Sequence, residues 1–119
     1  MTVAQFFKGR PESRALFKAV RAEAATCGRV RTRVMKSQIV LDRGSHGFVR
    51  IWVADRYLHG QHAPLVLTFD FPKKRASRRW KEVVQPKPGH VIHHLEIKHA
   101  ADIDQDVRRW LREAWDAAE

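Results

Sequence analysis

The sequence predicts an α+β fold: a two-layer sandwich in which a mainly antiparallel sheet of about five strands carries N- and C-terminal helices on one face. Three observations lead there. Apolar residues recur at helical spacing near both ends of the chain. Between those ends they alternate with a period of two. The connections between most of the alternating segments are too short to hold a crossover helix, so neighbouring strands should run antiparallel. The 119 residues have the length of one domain, read here as residues 1–119 around one core.

The elements follow in chain order. Thr2-Val3-Ala4-Gln5 has capping-box spacing, which starts a short helical turn that Gly9 should end. Pro11 suits a helix's first turn, and Ser13, Leu16, Phe17, Val20, Ala24 and Cys27 then share one face, so a helix is expected over residues 11–27. Arg14, Lys18, Arg21 and Glu23 fall mostly on its other face. Gly28 closes it.

Residues 29–34 change period. Arg29, Arg31 and Arg33 alternate with Val30, Thr32 and Val34, which is a strand with one basic and one apolar face. A second strand is expected over residues 38–42 and a third over 48–54, joined as a hairpin through Gly44-Ser45-His46-Gly47. Residues 55–63 read as a connection containing His59 and His62, and Pro64 opens a fourth strand over 65–71. Residues 72–89, with three prolines, read as irregular, with one or two helical turns between 77 and 84. A fifth strand is expected over 90–98. The last helix should be capped by Asp102 with Gln105 three residues on, and should bury Ile103, Val107, Trp110, Leu111 and Ala114.

Composition narrows the class of function. Lys and Arg number 23 against 13 Asp and Glu, a net charge of +10. The first hundred residues hold 20 basic and 7 acidic side chains; the last nineteen hold 3 and 6. Such an excess attracts polyanions. A single cysteine, Cys27, excludes an internal disulfide and a Cys-rich zinc site, and reads as a core thiol. The absence of a spanning apolar run argues against a membrane, and the absence of a leader-like stretch favours the cytoplasm. No P-loop, dinucleotide fingerprint or serine-nucleophile motif occurs, so no cofactor is expected and no reaction is named.

Two basic segments are candidate polyanion sites. Lys73, Lys74, Arg75, Arg78, Arg79 and Lys81 surround Trp80, the mixture of cations and an aromatic platform that single-strand binders use. The alternative is a loop that Trp80 anchors by packing inward. Arg29, Arg31 and Arg33 form a ladder about 13 Å long that could follow phosphates, or simply dress an edge strand. Four histidines lie within ten residues: His90, His93, His94 and His99. Adjacent strand residues point to opposite faces, so His93 and His94 cannot share an ion, and no metal site is assigned. His94, Glu96 and Lys36 are chemically adequate as base, orienting carboxylate and electrostatic partner. Trp115 could serve a dimer contact or join Trp110 in the core. The oligomeric state is left open.

Met35-Lys36-Ser37-Gln38-Ile39, Arg79-Trp80-Lys81-Glu82-Val83-Val84, His93-His94-Leu95-Glu96 and the ending from Asp102-Ile103-Asp104 through Trp110-Leu111-Arg112-Glu113-Ala114 together resemble a family of small bacterial domains, domain of unknown function 5655. The resemblance covers nearly the whole chain. It implies a small α+β domain and no established activity. If the family shares a polar site, the matching candidates are Lys36, Ser37, Lys81, His94 and Glu96. The leading expectation is therefore a non-enzymatic module that binds nucleic acid or another polyanion. Behind it stand a small-molecule binding domain or small enzyme, with a pocket for a small anionic ligand near Lys36, Lys81 and His94, and a structural or protein-interaction module.

Overall fold

The computed structural model describes residues 1–53 and 63–119. Thr2 does cap a short helix, α1 (Val3–Phe6), through a complete capping box with Gln5. Helix α2 (Pro11–Ala25) follows, with Pro11 in its first turn. Six strands come next: β1 (Arg31–Val34), β2 (Ile39–Arg43), β3 (His46–Trp52), β4 (Leu65–Phe71), β5 (Trp80–Lys87) and β6 (His90–Ile97). A single 3-10 turn (Ala100–Asp102) leads into helix α3 (Gln105–Ala117).

The strands form one antiparallel sheet in the order β1-β2-β3-β4-β6-β5. The helices pack on one face of it. Their apolar stripes meet Ile39, Leu41, Ile51, Leu65, Leu67, Phe69, Leu95 and Ile97, all essentially inaccessible, and Trp110 sits at the centre of α3's contribution. Both Trp110 and Trp115 are buried. Trp115 packs edge-on against Phe48, with the Arg43 guanidinium 4.6 Å from its ring centre. Gly28 is required beneath it: a Cβ there would lie 2.5 Å from the Trp115 ring.

Three expectations need correction. The segment read as irregular, with a helical turn over 77–84, contains strand β5 instead. β5 lies at the edge, six of its eight residues are exposed, and its register with β6 slips after Trp80 and again after Val84. Those bulges break the period-two signal, and Pro86, which has no N–H, is tolerated because β5 is an edge strand, where a missing donor deprives no neighbouring strand of a bond. The cap of the last helix is Asp104, whose carboxylate accepts from the Val107 N–H at 3.2 Å. Asp102 acts one step earlier, accepting from the backbone N–H groups of Lys98 and His99. The β2–β3 hairpin turns on Gly44-Ser45 alone, with Gly44 at φ 59°.

Candidate functional site

The densest basic segment is largely a fastening. The Arg75 backbone N–H donates to His93 Nε2 at 3.0 Å, its Nε binds Glu113 of α3 at 2.9 Å, and its guanidinium lies 4.8 Å from the Phe71 ring centre. Arg79 binds the Asp104 carboxylate and the Asp102 carbonyl, both at 2.7 Å. Trp80 donates its indole N–H to the Arg75 carbonyl at 2.8 Å and packs on Trp110, ring centres 4.2 Å apart, and on His93 at 4.7 Å. The inward alternative is therefore the observed one. Lys81 approaches Glu96 at 3.7 Å. Lys73, Lys74 and Arg78 make no ion pair among the described residues.

His93 explains how the segment is held. It is fully buried; its Nδ1–H donates to the Val91 carbonyl, which leaves Nε2 as the acceptor for Arg75. Burial, and secondarily the cations of Arg75 and Lys74, push its pKa below the ordinary value. A second proton would turn the acceptor into a donor facing another donor. His93 is a hydrogen-bonded core residue that staples the segment to β6.

The arginine ladder is divided. Arg29 precedes β1. Arg31 and Arg33 share the sheet face opposite the helices, where Arg33 grips the buried Asp42 carboxylate with Nε and Nη2, each at 3.0 Å. That hydrogen bonding holds the Arg33 guanidinium above its ordinary pKa. Arg31 makes no ion pair among the described residues. Because β1 and β5 are the two edges of the sheet, the ladder and the segment around Trp80 lie at opposite sides of the molecule.

The strand order likewise separates the candidate pocket. Lys36 and Ser37 sit in the β1–β2 turn, whereas Lys81 is on β5 and His94 and Glu96 are on β6; four strands intervene between β1 and β5. Lys81 and Glu96 are brought together, while His94 faces Thr68 and Trp52; Lys36 and Ser37 stand apart from both. On the open face, register aligns Arg33, Val40, Arg50, Thr68, His94 and Glu82 in one row across the sheet. Within it Trp52 Nε1–H donates to Thr68 Oγ1 at 2.9 Å, and Thr68 Oγ1 lies 2.8 Å from His94 Nδ1. The indole can only donate, so Thr68 Oγ1 accepts from it and shares a second hydrogen bond with His94 Nδ1, in the direction the His94 tautomer sets. Burial depresses the His94 pKa, opposed by Glu82. A hydroxyl bonded to a neutral imidazole has the elements of a base pair, but its oxygen already accepts the indole N–H, which lowers its nucleophilicity. His59 and His62 lie outside the described residues. Among the described residues no group of three or more His, Cys, Asp or Glu side chains is placed to hold a metal ion. Cys27 packs against the core edge, and burial raises its thiol pKa, opposed by Arg112.

One basic surface was not singled out by the sequence reading. Arg14, Lys18 and Arg21 are spaced i, i+4, i+7 on α2 and so form one stripe. Arg21 donates to Thr32 Oγ1 at 2.7 Å and to the Val30 carbonyl at 3.2 Å, which ties the stripe to the helix-facing side of the β1 edge. Glu23, on the same helix, points away to Arg108 of α3. The signal was present as a basic helix face; what was missing was the tertiary contact that joins it to β1.

The model of a family described as Domain of unknown function (DUF5655) matches residues 3–118. Comparison with curated proteins and with solved structures finds no match.

Proposed function

The chain belongs to the DUF5655 family, whose description carries no activity, and we propose from its own surface that it is a non-enzymatic module binding an anionic partner, nucleic acid first. The observation that carries the reading is the Arg21 bridge. Through it, the Arg14–Lys18–Arg21 stripe of α2 adjoins the start of β1, next to Arg29. Phosphates would meet this flank. Of the segment around Trp80, Lys73, Lys74 and Arg78 are the cations left for a partner, while Arg75, Arg79 and Lys81 already face carboxylates. A net charge of +10 supplies the long-range attraction.

Fluorescently labelled single- and double-stranded oligonucleotides titrated over a salt series test the proposal. Binding should weaken steeply with salt, and Lys18→Ala or Arg29→Ala should each lower the log–log salt slope by about one. Lys73→Ala with Lys74→Ala should have the smaller effect. No binding at low salt sinks the proposal.

A second reading keeps a small anionic ligand. Shallow grooves of about 410 and 440 Å³ flank the Lys81–Glu96 pair, within the size range of ligand pockets. Fragment titration followed by shifts of the Lys81 and Glu96 amides distinguishes it from the first.

A further inference from the structure

We infer that the corner between α1 and α2 is a phosphate-binding subsite. A concavity of about 360 Å³ opens there, with Phe7 and Gly9 on one side and Arg14 and Lys18 on the other; Lys8 stands at its rim. Three cations line it and no carboxylate does. Lys8 and Lys18 make no ion pair among the described residues.

Arg14 supplies the independent observation. Its Nε is buried and has no hydrogen-bond partner among the described residues. No acceptor among the described residues holds the rest of the guanidinium either, so its terminal nitrogens are left for a ligand in the concavity that Arg14 lines. The contrast within the molecule is direct: Arg21, Arg33, Arg75 and Arg79 all have acceptors at 3.2 Å or less. Arg14 and Lys18, one turn apart, also repel each other, and an anion between them removes that repulsion.

The chemistry favours phosphate among anions. A guanidinium fork takes two oxygens of a tetrahedral anion side by side, and the flanking ammonium groups offset a charge near −2. Gly9, at φ 76°, has open space where a side chain would stand, so the corner stays accessible. On the open sheet face Arg33, by contrast, is already committed to Asp42.

The subsite deepens the polyanion reading and rests on it only for what carries the phosphate. Two arms test it. In the first, inorganic phosphate is titrated against chloride at constant ionic strength, with backbone amides followed by NMR at pH 7.5. Saturable shifts confined to Lys8, Gly9, Arg14 and Lys18 are expected. Arg14→Gln should weaken saturation at least about tenfold, the value of a charge-assisted hydrogen bond. Lys18→Ala, at an exposed position, gives a second variant should Arg14→Gln unfold. Shifts that are linear, scattered, or unchanged in both variants overturn the subsite. In the second arm the same oligonucleotide is compared with and without a 5′-phosphate. Tighter binding of the phosphorylated form, lost in Arg14→Gln, assigns the subsite to nucleic acid. Saturable phosphate binding without any oligonucleotide binding overturns the nucleic-acid reading alone and leaves the subsite to small phosphorylated ligands. Oligonucleotide binding without saturable phosphate binding overturns the subsite alone.

Discussion

Replacing Trp80 separates two roles that the sequence could not distinguish. The indole lies against Trp110, His93 and Phe69, with ring centres at 4.2, 4.7 and 6.2 Å, and its N–H is the donor to the Arg75 carbonyl at 2.8 Å. Trp80→Phe keeps much of the ring contact and removes the hydrogen bond, costing about 1 kcal/mol. Trp80→Ala also leaves a cavity against Trp110. Truncation of a core tryptophan costs about 3–5 kcal/mol, and because Trp80 is only partly buried the low end, about 3 kcal/mol, applies. In a domain of this size that lowers Tm by roughly 10 °C. Urea unfolding followed by far-ultraviolet circular dichroism measures both variants, and oligonucleotide affinity is measured beside it. A stacking platform would behave in the opposite way: Trp80→Ala would leave stability nearly intact and lower affinity by about 1–3 kcal/mol per stacked base. Wild-type stability in Trp80→Ala together with weakened binding would refute the anchoring role.

Stability should depend on pH through the two central histidines. Burial depresses both pKa values below the ordinary 6.5, so the folded state binds fewer protons than the unfolded one. Their contribution is full above about pH 6.5 and is lost as pH falls from there through the folded values; urea midpoints at pH 7.5 and 5.5 should differ, and His93→Gln should flatten the dependence. Asp102, held low chiefly by the Lys98 N–H, and Asp104, held low against burial by the Val107 N–H and Arg79, lose their contribution only below about pH 4, so they do not confuse this window. Asp104→Ala should cost about 1 kcal/mol as a lost N-cap, and Asp104→Asn should recover most of it. Gly28→Ala should destabilise by about 1–3 kcal/mol, because its Cβ would collide with Trp115.

What the sequence determined by itself were features carried by local period. Both long helices, the three-strand run from Arg31 to Trp52, strands β4 and β6 and the opposed faces of His93 and His94 are all legible, since one buried face imposes a repeat of 3.6 or 2 on the residues that form it. Strand β5 was not, because an exposed edge strand with two bulges buries too little to impose a repeat. The site was less legible than the fold. The +10 charge and its concentration in the first hundred residues could be counted, but only the tertiary structure decided how each cation is used. Arg75 and Arg79 are adjacent in sequence to Lys74 and Arg78, yet the first two are consumed by Glu113 and Asp104 across a packed helix. Lys36 and Lys81, which read as one pocket, stand at opposite edges because strand order is set by long-range pairing. Arg14 read as an ordinary surface residue, and became distinctive only through the burial of an N–H that finds no acceptor. Charge is a property of each residue, but whether a charge is free is a property of its neighbours, and those are chosen by the fold.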